Sequence, residues 1–254
     1  MSVLRARCPH CRTLTAVAYD DLYECTSCGT SSRAGLVRVP RAWGRGGDAM
    51  AQAASVELPY PEALVVDRDT LEEQSAAVAA GLPRRPLVAG GCCCAHIGAI
   101  RGLAARYDRL AVVWLDAHGD LNTPETSPSG NLWGMPLRMA IDEGSVAPAD
   151  VGLVGARDLD PPELEYLARH GIDDDLGRAL EGADAVYIAF DADVLEPGAI
   201  PAFMPSPGGP AVEDAERTLV EVASRGHVAG MGFTGLAPGA DPAILARLAA
   251  VAGL

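Results

Sequence analysis

The chain has 254 residues, of which 49% are hydrophobic and 21% charged, and this composition excludes a chain that is disordered throughout. The 34 acidic and 20 basic residues give a formal net charge of −14, which disfavours binding to nucleic acid or to anionic lipid. Every residue in that basic count is arginine, so Schiff-base chemistry and a Walker-A phosphate loop, which both need lysine, are excluded.

The first predicted element is a zinc ribbon at residues 1–38. It contains two C-x-x-C pairs, Cys8 with Cys11 and Cys25 with Cys28. Their separation suits four thiolates around one structural zinc ion, and the segment RTLTAVAYDDLYE between them predicts a β-hairpin with an Asp-Asp turn. A redox-active dithiol is the alternative interpretation, and His10 is interpreted as a spacer.

Residues 39–85 are predicted to hold a linker and the first elements of the body, and RAWGRGGDAM indicates a linker or an exposed loop. Residues 1–45 carry a charge of +4, whereas residues 46–254 carry −18. We therefore expect the basic ribbon to dock on its own acidic body. An anionic partner of the ribbon, either nucleic acid or an acidic carrier protein, is the alternative.

Residues 86–254 are predicted to form the main domain, because apolar strands alternate with amphipathic helices. The predicted strands are PLVAGG, LAVVWLDA, VGLVGA, AVYIAFDAD and HVAGMGF. The predicted helices are HIGAIRGLAARY, WGMPLRMAID, PPELEYLARH, AVEDAERTLVEVASR and DPAILARLAAVAG. This order predicts an α/β fold with a mostly parallel sheet that helices cover on both faces.

Two acidic clusters follow predicted strands, where ligand sites of such folds lie. The first contains Asp116, His118 and Asp120, and the second contains Asp191 and Asp193. Side chains spaced by two on an extended chain share one face, and converging carboxylates need a cation. We expect one or two Mn²⁺ or similar divalent ions here, although a single D-x-D could equally cap a helix or face solvent.

At this point the sequence resembles the ureohydrolase family of arginases and agmatinases. The similarity is carried by DAHGDLNTPETSPSGNLWGMPL, GARDLDPPE and FDADVLEP, and more loosely by FMPSPGGP, from about residue 86 to the C-terminus. The resemblance implies the three-layer α/β/α arginase-like fold, a binuclear manganese centre, and hydrolysis of a guanidino or amidino C–N bond by a metal-bridging hydroxide. It also implies a homo-oligomer. The ribbon is not part of the usual family pattern.

The resemblance assigns roles to individual residues. It implies that Asp116, His118, Asp120, Asp191 and Asp193 are metal ligands and that His118 and Asp120 are catalytic. It places Asn122 and Ser129 where the family contacts the amino-acid end of its substrate.

Three departures from the family pattern affect this site. Cys93 stands where the family has its first histidine ligand, which favours zinc or iron over manganese, and His96 could assist it or contact substrate. Trp133 replaces a histidine near the substrate, where an indole would stack on a planar group or close the pocket. Thr234 and Gly235 stand where the family has a glutamate that pairs with the guanidinium.

The sequence therefore predicts a metal-dependent hydrolase of an amidine-like substrate, such as an N-modified arginine, in specialised metabolism. The alternative is a binding or regulatory protein on the same fold, with the ribbon contacting a protein partner. A ribbon-based nucleic-acid binder is disfavoured by the charge of the body. No apolar run is long enough to span a bilayer, and MSVLRARCPHC lacks an apolar signal core, so a cytoplasmic location is expected.

Overall fold

The computed structural model describes residues 5–19 and 22–254. The first four residues of the N-terminal segment and the predicted turn at residues 20–21 lie outside the described residues. In the described part of the chain, no helix has the length and apolar character that crossing a bilayer requires.

The N-terminal residues form a small antiparallel sheet of four strands. These are β1 (Arg5–Ala6), β2 (Ala16–Tyr19), β3 (Leu22–Cys25) and β4 (Ser31–Ser32). The pairing of β2 with β3 confirms the predicted hairpin. The next strand, β5 (Gly35–Val39), belongs to the large sheet, so the small sheet ends before the predicted ribbon boundary at residue 38.

The body is built on a sheet of seven strands in the order β6-β5-β7-β11-β10-β8-β9. The remaining six strands are β6 (Glu62–Val65), β7 (Pro86–Gly90), β8 (Leu110–Leu115), β9 (Val151–Val154), β10 (Ala185–Asp191) and β11 (Val228–Thr234). Every pairing within this sheet is parallel. Strands β7 to β11 are the five that the sequence predicts.

Helices cover both faces of this sheet. They are α1 (Asp48–Ala53), α2 (Leu71–Gly81), α3 (Ala95–Ala104), α4 (Pro136–Asp142), α5 (Pro161–His170), α6 (Leu176–Leu180), α7 (Val212–Arg225) and α8 (Pro242–Val251). Alternate residues of β10 belong to different apolar cores. Ile188 shares one core with Leu219 of α7, and Tyr187 shares the other with Leu103 of α3. The predicted three-layer α/β/α arrangement is confirmed.

The small sheet docks on the edge of the large one. Arg7 and Glu62 exchange two backbone hydrogen bonds of 2.9 Å, which continues the ladder beyond the edge strand β6. Arg12 also pairs with Glu57 of the body. These contacts agree with the expected docking of the basic segment on the acidic body, and they cover an edge that would otherwise be open for pairing.

The segment RAWGRGGDAM is more than the linker that its glycine content indicates. Its last residues begin helix α1, and Met50 of that helix is buried against Cys92 and Ile97. Leu132 donates to the backbone oxygen of Trp43 at 2.9 Å, which ties this segment to the loop before α4. Residues 41–47 form the irregular segment that the glycine content predicts, with Gly44, Arg45 and Gly46 exposed, and helix α1 follows it.

Candidate metal centre

The two acidic clusters lie side by side because β8 and β10 are neighbours. Leu115 pairs with Phe190 in parallel register, so Asp116 and Asp191 follow at the same edge of the sheet. The N–H of Ala117 donates to Oδ1 of Asp193 at 3.1 Å, which joins the two loops directly. The sequence-predicted clusters are thus brought together at the carboxyl ends of the strands.

Ligand atoms form two groups that share Asp116. Within each group, the three atoms lie within 4.8 Å of one another. The first group is Cys93, Asp116 and Asp191, and the second is Asp116, His118 and Asp193. Two adjacent groups with one common carboxylate suit a pair of divalent ions.

Asp120 lines the same pocket but lies outside both groups. Its Oδ2 atom is buried and has no hydrogen-bond partner among the described residues, which is costly for a carboxylate. Its backbone has a φ of 52°, in the left-handed region that non-glycine residues rarely adopt. A cation, from an ion or a substrate, would satisfy this oxygen.

The acidic groups of the cluster hold protons more tightly than carboxyls in water. Burial, and then the charge of Asp193, raises the pKa of Asp191 to about 7. Burial, and then the charge of Asp116, raises the pKa of Asp193 to about 6. Burial disfavours the charged form of His118, but its contacts with Asp116 and Asp193 raise its pKa to about 12. The raised pKa values of the two aspartates reflect burial and repulsion between neighbouring carboxylates. Divalent ions bound at the cluster would reduce that repulsion.

Cys93 occupies the predicted ligand position at the start of the turn that follows β7. Its Sγ atom lies 2.9 Å from Oδ2 of Asp191 and 3.9 Å from Oδ2 of Asp116. Burial, followed by the charges of the surrounding aspartates, raises the pKa of this thiol well above its usual range. With oxygen, imidazole and sulfur donors converging, the residues present fit a divalent transition-metal ion.

A buried hydrogen-bond chain supports Asp191 from behind. Thr234 lies 3.2 Å from Oδ2 of Asp191, and its hydroxyl also lies 3.1 Å from Nε2 of His96. Nδ1 of His96 lies 2.8 Å from the hydroxyl of Tyr187. If Thr234 donates to the carboxylate, then His96 donates through Nε2 and Tyr187 donates to Nδ1. Burial lowers the pKa of His96 to about 3, which keeps its ring neutral as this chain requires.

His96 does not line the pocket, so the structure gives no support to its predicted contact with substrate. Sequence reasoning missed the roles of Thr234 and Tyr187 as partners of this histidine. One sequence signal for the role of Tyr187 was available. Successive side chains of a strand point to opposite faces, so Tyr187 and Ile188 of β10 lie on different faces of the sheet.

The other predicted substrate residues lie in the wall of the pocket. Asn122, Ser129 and Trp133 all line it. The amide of Asn122 is held by its own chain, because it donates to Asp160 at 2.8 Å and accepts from Thr126 at 2.9 Å. The hydroxyl of Ser129 accepts from the N–H of Asn131 at 3.2 Å and lies 3.4 Å from the hydroxyl of Ser127.

A second group of possible ligands lies in the small sheet. The Sγ atoms of its four cysteines, Cys8, Cys11, Cys25 and Cys28, lie within 4.8 Å of one another. Hydrogen bonds from the side chain and backbone of Thr13 lower the pKa of Cys11 to about 5, and a hydrogen bond from Thr15 lowers that of Cys25. Four converging thiols with two of them acidified suit a tetrahedral zinc site.

The fold and the cluster define a three-layer α/β protein with a candidate dinuclear site at the carboxyl ends of its parallel strands. The model of the arginase family matches residues 46–253, and the chain belongs to that family. The match begins after the small sheet, which agrees with the expectation that the ribbon is an addition to the family pattern.

Individual relatives agree with this assignment. The chain is 34% identical to an arginase of Staphylococcus aureus (strain COL) over 166 residues, which are 54% of each protein. It is 38% identical to the arginase of Bacillus subtilis (strain 168) over 144 residues, 46% of this chain and 49% of that one. The matches thus span about half the length of these curated relatives. The arginase structure from Bacillus caldovelox superposes with a TM-score of 0.71 and 27% identity, covering 86% of this chain and 95% of that chain.

Proposed function

We propose that this protein is a metal-dependent hydrolase that cleaves a C–N bond of a guanidino or amidino compound. The observation that carries the proposal is the pair of ligand groups that share Asp116, with the unpaired Oδ2 of Asp120 beside them. The names of the relatives point to the same chemistry, since arginases are amidinohydrolases. Trp133 and Thr234 depart from the family pattern near the substrate.

In this proposal, two divalent ions would be held by the side chains of Cys93, Asp116, His118, Asp191 and Asp193. Asp120 would be a further ligand. Manganese is the family's ion, and the thiol of Cys93 favours zinc or iron at its end of the site. When bound, the ions supply Lewis acidity and lower the pKa of water. The protein's own residues then orient the substrate cation and move protons.

Asp120 is the residue best placed to move a proton. Its Oδ2 atom is free to accept a proton from the attacking water and to release it to the departing amine. His118 is half-buried at the pocket wall, with Nδ1 3.3 Å from Asp116 and 3.2 Å from Asp193. These contacts fix its ring, so its part is to bind and orient.

A matched pair of isosteric variants tests the proposal. Asp116→Asn should lose bound metal and turnover together, because Asp116 belongs to both ligand groups. Asp120→Asn should keep most of the metal but lose about a hundredfold or more in kcat, because the proton acceptor is gone. Metal content and amine release from a panel of guanidines and amidines are the readouts. Undiminished turnover in Asp120→Asn, or full metal content in Asp116→Asn, would contradict the proposal.

A binding or regulatory protein on this fold is the second candidate. It is favoured by Trp133, which cannot titrate, and by Thr234, whose hydroxyl is engaged with Asp191 and His96. The metal-loaded protein would then release no amine from guanidines, amidines or amides. The pair of ligand groups that share Asp116 makes hydrolysis the favoured proposal.

We also propose a structural zinc ion in the ribbon, a cytoplasmic location and a homo-oligomer. The seven cysteines are an odd number and four of them have metal-ligand spacing, which is typical of a reducing compartment. Assembly rests on family resemblance. We also propose that the ribbon binds a protein partner. The positive charge of residues 1–45 is the observation that supports this proposal.

A further inference from the structure

The pocket of the metal centre has an apolar half that the proposed chemistry does not use. The cavity measures about 290 Å³, and its outer wall includes Met50, Trp133, Phe203 and Met204. The rings of Trp133 and Phe203 meet edge to face with centroids 5.9 Å apart. An aromatic and thioether surface therefore shares one cavity with the acidic cluster.

Among the described residues that line this cavity, the one basic side chain is His118, which already contacts Asp116 and Asp193. The described residues that line it include seven acidic side chains and no arginine. Arg157, on the loop after β9, uses its guanidinium for backbone oxygens, including those of Asp193 at 2.8 Å and Ser206 at 2.7 Å. Asp158 adds a carboxylate at the mouth, with 70% of its side chain exposed. A ligand with a distal carboxylate would meet repulsion there.

Trp133 is held in place before any ligand arrives. Its six-membered ring lies against Gly44, where an added Cβ would overlap ring carbons. Neighbouring backbone holds the loop as well, because Leu132 donates to the oxygen of Trp43 and Asn131 accepts from the N–H of Arg45. A flat surface that is already ordered costs little further entropy when a ligand packs on it.

Building on the proposed amidine hydrolysis, we infer that the substrate is a guanidine or amidine cation bearing an aromatic or branched apolar group and no carboxylate. The planar cation faces carboxylates of the cavity that lie outside the two metal-ligand groups, Asp120 and Asp158 among them. The apolar group lies against Trp133 and Phe203, where burial and ring contacts stabilise it. Trp133 is thereby the residue that determines specificity.

Binding of three probes to the metal-loaded protein tests this inference by calorimetry. The probes are guanidine, phenylguanidine and L-arginine. Phenylguanidine should bind about tenfold more tightly than either of the others. Trp133→Ala should reduce that preference to about threefold or less, because the ring that packs on the phenyl group is gone. Equal or tighter binding of L-arginine would overturn the inference.

Matched variants distinguish the effect of the aromatic ring at position 133 from the effect of where that ring lies. Trp133→Phe should keep most of the preference, and Gly44→Ala should lose it although Trp133 is still present, because the added methyl displaces the ring. Tyr19→Ala, which removes an exposed aromatic side chain on the ribbon, should change nothing. Full preference in both Trp133→Ala and Gly44→Ala would contradict the role of Trp133.

Aniline release from phenylguanidine distinguishes this inference from the proposed function. A Trp133-dependent preference without any product would support the ligand class and contradict hydrolysis. Hydrolysis of simple guanidines with no preference for phenylguanidine would support hydrolysis and contradict the ligand class.

Discussion

At the scale of single residues, the metal centre depends on side chains that never touch the pocket. Thr234 is fully buried and connects Asp191 to the neutral ring of His96, which Tyr187 holds from the other side. Such partners orient a metal ligand and tune its basicity, so their loss weakens metal binding although the ligands remain.

Thr234→Val removes the hydroxyl and keeps the shape of the side chain. We expect metal affinity to fall about 10- to 100-fold, because Asp191 loses a partner and His96 is left with an unpaired Nε2. Competition with a metal-chelating dye measures the affinity. Thr234→Ser is the control, since it retains the hydroxyl and should bind metal nearly as the parent does. Unchanged affinity in Thr234→Val would show that the chain of hydrogen bonds has no part in metal binding.

Some residues of the metal centre could be predicted from the sequence, and others could not. Asp116 and Asp191 could be recognised because each directly follows an apolar strand in a regular α/β pattern. Their partners Thr234, His96 and Tyr187 come from three different elements and meet only in the folded chain. A spacing of three between Cys93 and His96 suggested one shared face, but the structure directs His96 into the core, where Tyr187 and Thr234 bind both its nitrogens.

At the scale of elements, the ribbon closes an edge of the large sheet. Arg7 extends the ladder of β6 through Glu62, and the side chain of Glu62 also accepts from Arg38 at 2.6 Å. The two partly buried charges pair beneath the ribbon, whereas the Arg12–Glu57 pair is exposed and contributes little. The ribbon is thus held on the body mainly by the backbone ladder and the buried contacts around it.

Cys11→Ser removes one of the four thiols. We expect the loss of one zinc per chain and a fall in Tm of about 5 °C or more, because zinc binding contributes to the folding of such small sheets. Proteolysis should then cut within residues 5–34 while the second metal site keeps its ions. Leu14→Ser, an exposed ribbon residue, should behave as the parent does. Retention of all zinc in Cys11→Ser would contradict the ribbon site.

Helices and strands were predicted best where their own residues contain a start signal or a clear apolar pattern. Helix α5 has proline at its start and an Asp160–Glu163 capping box, and it begins where the sequence indicates. Strands β5 and β6 were not predicted. Their partners in the sheet lie far along the chain, with Leu36 beside both Glu62 and Leu87, and short parallel strands carry little local signal.

At the scale of the whole molecule, charge is divided between a basic ribbon and an acidic body, and the deepest concentration of acid lies in the pocket. The family match covers residues 46–253, so it includes most of the body and leaves out the ribbon. Divalent ions would relieve the repulsion among the acids of this pocket, so metal content is the property that tests the metal centre most directly.

The most direct test is the number and kind of metal ions per chain in protein purified without chelator. We predict about three, with one zinc in the ribbon and two in the dinuclear site, and Cys93→His should shift the dinuclear site towards manganese. One zinc per chain, with no uptake of manganese, iron or further zinc on titration, would contradict the account of the metal centre.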